Sequence, residues 1–271
     1  MKKRIISLVT AAVLAASALL TGCGAQASAA ENKVIKIGAC VTPHAEILEI
    51  VKDNLKDSGY TLDIVTYNDY VLPNTALESG DLDANYFQHG PYLKDFNEEN
   101  GTHIVSVASV HFEPMAVYAG KSSSLDDIAD GASIAVPNDT TNEARALLLL
   151  EANGLIKLKS DAGISATVLD IEENPHNIKI EELEAAQVPK AIQDVDFAVI
   201  NGNYAIEAGI KDPVAVEASD SLAAETYANL VCVKEGNENS EKTKALVNAV
   251  LQDNVRDFIN KTYSGAVVPV F

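Results

Sequence analysis

The sequence predicts an α/β fold built from two similar units, and three observations lead to that prediction. From Lys33 onward, short β-rich runs alternate with patterns typical of amphipathic helices. This order favours mostly parallel sheets with helices on both faces. The chain of 271 residues is long enough for two domains of about 100–150 residues each. No period of about 20–50 residues recurs, which excludes a solenoid.

The first unit is predicted to contain four strands joined by helices. The strands cover residues 34–39, 62–67, 82–87 and 104–110, and the helices cover residues 45–56, 74–79 and 91–97. In the first helix, Ile47, Leu48, Val51 and Leu55 share one face, as the helical period requires. A glycine follows each of the other two helices as a stop signal.

The second unit repeats this plan and ends in a long helix. Its strands are predicted at residues 115–118, 133–136, 197–200 and 227–233, its other extended segments at 167–171 and 178–183, and its helices at 125–129, 141–153, 189–193, 204–208 and 240–262. Gly154 stops the second of these helices. In the last helix, Val247, Leu251, Val255 and Phe258 form an apolar stripe.

The first 22 residues are typical of a bacterial lipoprotein signal peptide. A basic start at residues 1–4 precedes the 16-residue apolar run 5–20, which is short for a membrane span. The run ends in Leu-Thr-Gly-Cys, which resembles a lipobox, so we predict that Cys23 is lipidated. An ordinary secretory signal cleaved near residues 27–29 is the alternative. Residues 23–32 are expected to tether the protein to the extracytoplasmic face of the cell membrane.

The acidic composition excludes several classes of function. Lys and Arg number 20 against 39 Asp and Glu, a formal net charge of −19. We therefore predict no nucleic-acid partner and no polybasic contact with anionic lipid. Three cysteines are too few for a disulfide scaffold. Cys40 and Cys232 lie in apolar runs. The sequence is compatible both with two buried free thiols and with a disulfide between them.

The order of the elements and the exported N-terminus together suggest a solute-binding protein. Crossings between the units are expected near residues 113–118 and 227–233. One lobe would then comprise residues 33–113 and 232–271, and the other residues 114–231. Such proteins close two lobes on a ligand by a hinge motion. The ligand is expected at the carboxyl ends of the parallel strands.

A candidate anion site lies in SIAVPNDTTNEARALLLL, residues 133–150, where a strand leads into a helix that carries Asn142 and Arg145. Thr140 and Glu143 have the spacing of a capping box. A helix N-terminus favours anions, and the arginine fork matches a carboxylate. Asn142 and Arg145 are therefore candidates for binding a ligand carboxylate. The alternative is a surface arginine paired with Glu143 or Glu151.

Aromatic residues cluster at two predicted strand ends. In LDANYFQHGPY, residues 82–92, Phe87 and His89 share one face near the carboxyl end of the strand. Tyr70 follows the preceding strand in the same way. Because these ends meet at one rim, the rings can line an apolar ligand side chain. Ordinary core and rim packing is the alternative.

Asparagines lie next to two further strands. Asn201 and Asn203 follow the strand at 197–200, and Asn229 begins an apolar run. Their amides suit the ammonium and carboxylate groups of an amino acid. Helix capping is the alternative, and it is the favoured role for at least one of Asn201 and Asn203.

The sequence lacks the motifs of a metal site or an enzyme. No two of the five histidines have the spacing of metal ligands, and His111 and Glu113 are the nearest such pair. The nucleophile elbow, the P-loop and the dinucleotide-binding fingerprint are absent from the sequence. We therefore predict no metal, no cofactor and no catalytic residue.

Six motifs occur along the chain and carry a family resemblance: NDYVLPN, LDANYFQH, AVPNDTTNEARALLLL, GLIKLK, VLDIEENPHNIKIEELEAAQ and NGNYA. With them the chain resembles the methionine-binding lipoproteins of ABC importers, the NlpA type, over nearly its whole mature length. The resemblance implies a type II periplasmic-binding-protein fold. It also implies a lipid-anchored receptor that passes L-methionine or a close analogue to an ABC permease with an ATPase subunit. A receptor for another small amino acid or a methionyl dipeptide is the alternative, ahead of a metal-binding lipoprotein.

The resemblance also assigns ligand-binding residues by position. It places Arg145 and Asn142 at the ligand carboxylate, Asn229 with Asn203 or Asn201 at the amino and carboxylate groups, and Tyr70, Phe87 and His89 around the thioether, where sulfur–aromatic contacts are favourable. The segment His111-Phe-Glu-Pro departs from the more apolar hinge approach expected of the family. This departure leaves the choice among L-methionine, D-methionine and a dipeptide open.

Overall fold

Two mixed β-sheets flanked by helices make up the computed structural model of the chain, which describes residues 33–218 and 225–271. This architecture confirms the predicted α/β class. The signal peptide, Cys23 and the tether predicted over residues 1–32 lie outside the described residues. None of the helices in the described ranges has the length and hydropathy needed to cross a bilayer.

The first sheet combines strands from both ends of the described chain. Its strands are β1 (Val34–Cys40), β2 (Thr61–Tyr67), β3 (Ala84–His89), β4 (Ile104–Phe112), β12 (Asn229–Lys234) and β13 (Val268–Pro269). Their spatial order is β13-β4-β12-β3-β1-β2. Strand β1 runs parallel to β2 and β3, as predicted, whereas β12 is antiparallel to β3 and β4. The predicted parallel order thus holds for β1, β2 and β3. The remaining pairings of the sheet, which involve β4, β12 and β13, are antiparallel.

The second sheet repeats this mixture. Its strands are β5 (Ala116–Ala119), β6 (Ser133–Pro137), β9 (Lys179–Leu183), β10 (Phe197–Ile200) and β11 (Ala215–Val216), and a separate ladder joins β7 (Lys157–Leu158) to β8 (Ile171–Glu173). Strand β6 is parallel to β9 and β10, whereas β5 is antiparallel to β10 and β11. The spatial order is β11-β5-β10-β6-β9.

The chain leaves the first sheet after β4 and returns to it at β12. The strand predicted at 227–233 begins at Asn229 and lies wholly in the first sheet. The crossings expected near residues 113–118 and 227–233 stay predictions. The division into lobes at residues 113 and 231 stays a prediction.

Helices cover the faces of the sheets. They are α1 (Glu46–Leu55), α2 (Leu72–Ser79), α3 (Gly90–Asn100), α4 (Thr140–Ala152), α5 (Val188–Ala191), α6 (Gly202–Glu207), α7 (Glu241–Val250) and α8 (Asp253–Tyr263). Helix α1 buries Ile47, Leu48, Val51 and Leu55 in the core of the first sheet, as the sequence pattern predicts. Each buried side chain of this kind contributes about 1.5–3 kcal/mol relative to an exposed one.

Two predicted segments were wrong. Residues 125–129 form a turn rather than a helix; an isolated segment this short does not form a stable helix without tertiary packing. Residues 167–171 are not extended throughout. Thr167 caps a short 3₁₀ turn at Val168–Asp170, and strand β8 begins only at Ile171.

The long helix predicted over residues 240–262 is interrupted. It ends at Val250 and restarts at Asp253, with Gln252 in an extended conformation. Val250 and Val255 are both buried, although five residues in one continuous helix would turn them to different faces. The break lets both valines face the core. It leaves Leu251, which was predicted to lie on the buried stripe, 37% exposed.

Helix α4 starts differently from the prediction. Its N-cap is Asp139, whose carboxylate accepts a hydrogen bond from the backbone N–H of Asn142 at 3.0 Å. The capping box of Thr140 and Glu143 is therefore wrong, because Glu143 accepts instead from the backbone N–H of Val168 at 3.0 Å. Cap replacement typically costs about 1 kcal/mol, so Asp139 stabilises the start of the helix that carries Arg145.

The two cysteines of the described chain are free thiols. Cys40 and Cys232 are both buried and unbonded. Cys40 packs among Phe87, Tyr92 and Phe96, and burial raises the pKa of its thiol.

Candidate functional site

A cavity lies where the end of β3 faces the starts of α4 and α6. All eight ligand-binding residues predicted from the sequence line it: Tyr70, Phe87, His89, Asn142, Arg145, Asn201, Asn203 and Asn229. Gln88, Tyr92, Glu113 and Gly202 complete the lining. Contact of these residues with a ligand stays a prediction.

The aromatic part of the cavity is built around Tyr70. Its ring centroid lies 5.9 Å from that of Phe87, 5.8 Å from that of Tyr92 and 5.0 Å from that of Tyr204. The Tyr70 hydroxyl donates to Asn203 Oδ1 at 2.6 Å. Tyr70 follows β2 of the first sheet and Asn203 lies on α6 beside the second, so this bond joins the two sides of the cavity.

His89 closes strand β3 and caps helix α3. Its Nδ1 accepts a hydrogen bond from the backbone N–H of Tyr92 at 3.2 Å, and its Nε2 lies 3.2 Å from Asn142 Oδ1. These partners assign the proton to Nε2, which donates to Asn142. Burial and the nearby charge of Arg145 lower the pKa of His89 to about 3. His89 is therefore a neutral group that links α3 to α4.

The asparagines form a partly satisfied polar surface. Asn142 Oδ1 also accepts from Asn201 Nδ2 at 2.8 Å. Asn201 occupies the N-cap position of α6 but makes no side-chain capping bond. The buried atoms Asn201 Oδ1 and Asn203 Nδ2 have no hydrogen-bond partner among the described residues. Leaving such a group unpaired costs about 1–3 kcal/mol, so the cavity presents one acceptor and one donor that a polar ligand can satisfy.

Arg145 is buried and paired, which contradicts the alternative of a surface arginine. It is 4% exposed, and its partner is Glu217 rather than Glu143 or Glu151. Its Nε donates to Glu217 Oε1 at 2.9 Å, and its Nη2 donates to the backbone carbonyl of Glu113 at 2.8 Å. Sequence analysis missed Glu217 because no local pattern links residues that far apart.

Glu113 lies at the centre of a second buried cluster. His111 Nε2 is 2.6 Å and His44 Nε2 is 3.4 Å from Glu113 Oε1. Tyr86 bonds the Nδ1 of His111 through its hydroxyl. Burial lowers the pKa of His44 to about 4 and that of His111 to about 3, and burial raises the pKa of Glu113.

The cluster of His44, His111 and Glu113 holds donor atoms within 4.8 Å of one another, a grouping that could bind a metal ion. The contact between His111 and Glu113 is a hydrogen bond at 2.6 Å. Two ligands of one tetrahedral zinc, each about 2.0–2.1 Å from the metal, lie about 3.3 Å apart. The geometry therefore favours hydrogen bonding.

Four lining residues were missed by sequence reasoning. Gln88 lies between Phe87 and His89 on the strand, and it reaches the cavity while its Oε1 accepts from Asn74 Nδ2 at 2.8 Å. Tyr92 and Gly202 adjoin predicted residues and have no separate sequence signal. Glu113 was noted only beside His111.

Comparisons with known proteins agree with this architecture. The family model of the NlpA lipoprotein matches residues 35–271. The D-methionine-binding lipoprotein MetQ of Escherichia coli is 42% identical over 261 residues, 94% of each chain. A nutrient-binding protein from Burkholderia cenocepacia, solved bound to methionine, is 45% identical with a TM-score of 0.83 and covers 88% of this chain and 100% of its own.

A periplasmic substrate-binding protein of an ABC transporter from Coxiella burnetii is 41% identical, with a TM-score of 0.81, over 87% of this chain and 100% of its own. The sequence match extends over the described part of the chain almost from end to end, and the solved relatives share its fold. The resemblance seen in the sequence motifs is thus confirmed: the chain belongs to the NlpA lipoprotein family.

Proposed function

We propose that this protein is a lipid-anchored, extracytoplasmic substrate-binding protein that captures methionine and delivers it to an ABC permease and its ATPase subunit. The observation that carries the proposal is the cavity itself, where an aromatic wall faces unpartnered amide atoms and a buried arginine. An unbranched thioether suits the aromatic wall, and a zwitterion suits the polar side. The similarity to a methionine-bound relative supports the same ligand.

The contacts favour particular roles for the polar residues. Nη1 of Arg145 makes no hydrogen bond to a described residue, so it can donate to the ligand carboxylate together with Asn203 Nδ2. We assign the amino end of the ligand to the acceptors Asn201 Oδ1 and Asn229 Oδ1. Asn142 bonds Asp139, His89 and Asn201. It therefore acts by orienting its neighbours.

The lining supports binding rather than catalysis. The described residues around the cavity include no Ser, Thr, Cys or Lys that could act as a nucleophile. The polar groups are amides, a paired arginine, the imidazole of His89 and the carboxyl group of Glu113, and their contacts hold them in fixed positions. We therefore propose a receptor without enzymatic activity.

Native mass spectrometry of the purified protein tests the ligand. We expect a bound species with the mass of methionine, and unfolding followed by refolding should give ligand-free protein that binds added methionine with a stoichiometry of one. Separate titrations with L-methionine and D-methionine then determine the preferred enantiomer. A different co-purified mass, together with no heat of binding for either enantiomer, would contradict the proposal.

A further inference from the structure

The cavity contains a buried carboxyl group that forms no ion pair with a lysine or arginine of the described residues. Glu113 is 5% exposed and lines the cavity. In the described ranges, the basic side chains within 4.0 Å of its carboxyl oxygens are those of His44 and His111. Both imidazoles are neutral near pH 7, because burial lowers their pKa values to about 4 and about 3. Residues 219–224, SDSLAA, contain no basic residue.

Arg145 forms no ion pair with the carboxyl group of Glu113. Its Nη2 donates to the backbone carbonyl of Glu113, while its Nε donates to the carboxylate of Glu217. The arginine charge is thus compensated by Glu217. A buried carboxylate without a cationic partner is costly, so a ligand that brings a cation to Glu113 gains a strong interaction.

Hydrogen bonds orient Glu113 as an acceptor. When Glu113 is ionised, the ring proton of His111 is on Nε2, and Nδ1 accepts from the Tyr86 hydroxyl. His111 Nε2 then donates to Glu113 Oε1 at 2.6 Å. A hydrogen bond to a carboxyl oxygen favours its ionised form. The chain Tyr86–His111–Glu113 therefore fixes the orientation of the carboxyl group. Burial raises the pKa of Glu113, and a cation bound beside it favours the ionised form.

Gly202 and Asn229 complete the surroundings of this carboxylate. A Cβ at Gly202 would lie 2.8 Å from Glu113 Cβ, so glycine lets α6 approach Glu113 closely. On the other side, His44 Nε2 donates to Asn229 Oδ1 at 2.9 Å. Glu113 therefore lies between two segments that carry predicted ligand-binding amides.

We propose that Glu113 binds the α-ammonium group of the ligand, with Tyr86 and His111 as positioning residues, so that the cavity accepts only ligands with a free, charged α-amino group. The inference rests on the proposed binding of an amino acid and narrows its substrate class. Glu113 and Arg145 then bind the two opposite charges of one zwitterion. A peptide with methionine at its C-terminus is excluded, because the nitrogen of that methionine is a neutral amide.

Calorimetric titrations of wild type and Glu113→Gln with three ligands test the proposal. The ligands are L-methionine, its des-amino analogue 4-(methylthio)butanoate, and glycyl-methionine. We expect the affinity of the wild type for methionine to be at least about 30-fold higher than its affinity for either of the other two ligands. In Glu113→Gln, the affinity for methionine should fall by a similar factor, while the affinity for the des-amino analogue should change by less than about threefold.

Two variants support this comparison. Glu49→Gln removes the same charge from an exposed position of α1 and should leave all three affinities unchanged. Tyr86→Phe should reduce the ratio of methionine affinity to des-amino affinity, a readout that a purely structural role does not move. Thermal unfolding of each variant confirms that it folds. If Glu113→Gln does not fold, Glu113→Asp and the wild-type titrations provide the test.

Three results would overturn the inference. The first is an equal loss of affinity for methionine and for the des-amino analogue in Glu113→Gln. The second is wild-type binding of glycyl-methionine within about threefold of methionine. The third is a stoichiometric metal ion whose chelation changes methionine affinity. If the wild type instead ignores methionine but binds another amino acid in a Glu113-dependent way, the proposed ligand is wrong and the inference stands.

Discussion

The guanidinium of Arg145 forms a buried ion pair with Glu217, 72 residues further along the chain, and Nε donates to Oε1 at 2.9 Å. The guanidinium carbon also lies 4.3 Å from the ring centroid of Tyr227. Glu217 thus contacts one edge of the guanidinium group, and Tyr227 contacts one of its faces. Because Nη1 makes no hydrogen bond to the described residues, it is the part of Arg145 that can meet a ligand carboxylate.

Replacing Arg145 with alanine should weaken methionine binding. The ligand carboxylate loses a buried, charge-assisted hydrogen bond, which costs ~2–4 kcal/mol, or roughly 30- to 700-fold in Kd. Arg145→Lys should recover only part of this loss, because a point charge cannot bond Glu217 and the ligand along separate edges. Calorimetric titration of the refolded variants measures the change.

The matched control for Arg145 is Arg256→Ala, which removes an arginine that pairs with exposed Asp253 on α8. Its methionine Kd should equal that of the wild type. An unchanged Kd in folded Arg145→Ala would remove Arg145 from the site and contradict the placement of the ligand carboxylate.

Glu217→Gln should destabilise the protein and increase its response to ligand. The glutamine can still accept from Arg145, but the buried guanidinium loses its counter-charge, so we expect the free energy of unfolding to fall by about 1–3 kcal/mol. A ligand carboxylate restores the missing charge. Saturating methionine should therefore raise the thermal midpoint of this variant by more than it raises that of the wild type.

Glu173→Gln, in an exposed ion pair with Lys157, provides the comparison for Glu217→Gln. It should leave both the midpoint and the ligand response nearly unchanged. A loss of methionine affinity in Glu217→Gln as large as that in Arg145→Ala would show that Glu217 is needed for binding rather than for stability.

His89 should make stability fall as the pH decreases below about 6.5. Its pKa is lowered from 6.5 to about 3 in the folded protein, so between these values the unfolded state binds more protons. The free energy of unfolding then rises with pH, by up to about 1.4 kcal/mol per pH unit from this residue. The contribution is complete above pH 6.5 and is lost as the pH approaches 3.

The raised pKa values of Glu113, Asp139 and Glu143 act in the opposite direction, because these carboxyl groups bind a proton more readily in the folded state. Comparison of the wild type with His89→Asn therefore isolates the histidine. Denaturant unfolding of ligand-free protein between pH 6.5 and about pH 5 should give a slope that is smaller in the variant by about 1 kcal/mol per pH unit. Equal slopes would contradict the prediction.

The sequence could predict which residues surround the cavity because strand ends are local features. Phe87 and His89 end a strand that glycine and proline terminate, and Asn142 and Arg145 open a helix directly after a strand. Since ligands bind at such ends in α/β folds, these positions converge. Tyr70 and the remaining asparagines adjoin strands in the same way.

The hydrogen-bond partners within the site could not be predicted from the sequence. Glu217 reaches Arg145 and Asn229 reaches His44 across many residues, and neither pair has a characteristic spacing. The break between α7 and α8 was also hidden, because Val247, Leu251 and Val255 fit one continuous helix. The break between the two helices depends on their packing against the first sheet, which the local sequence does not show.

Cys23→Ser should abolish membrane anchoring. Cys23 is the cysteine of the predicted lipobox, and a serine hydroxyl does not form the thioether to the diacylglyceryl group. Phase partitioning of cell extracts in a mild detergent measures the change: the wild type should enter the detergent phase, and the variant should stay in the aqueous phase. Cys40→Ser, at a buried thiol, should partition as the wild type does. Detergent-phase recovery of Cys23→Ser would contradict the lipoprotein prediction.

Tyr70→Phe and Tyr70→Ala should separate the two roles of this side chain. Phenylalanine removes the hydroxyl that donates to Asn203 Oδ1 at 2.6 Å but keeps the ring beside Phe87. We expect methionine binding to weaken by about 0.5–1.5 kcal/mol, which raises Kd roughly 2- to 12-fold, because one neutral hydrogen bond is lost across the cavity. Preference for methionine over valine and glutamate should persist, because the apolar wall is intact.

Alanine at position 70 removes the wall as well. Tyr70→Ala should therefore lose more affinity than Tyr70→Phe and should also lose selectivity, because the cavity no longer distinguishes an unbranched thioether from a branched or charged side chain. Tyr67→Phe is the matched control, since the Tyr67 hydroxyl makes no hydrogen bond to a described residue. Calorimetric titration with methionine, valine and glutamate decides the matter. Equal or tighter binding of valine or glutamate by the wild type would show that the aromatic residues do not contact a thioether.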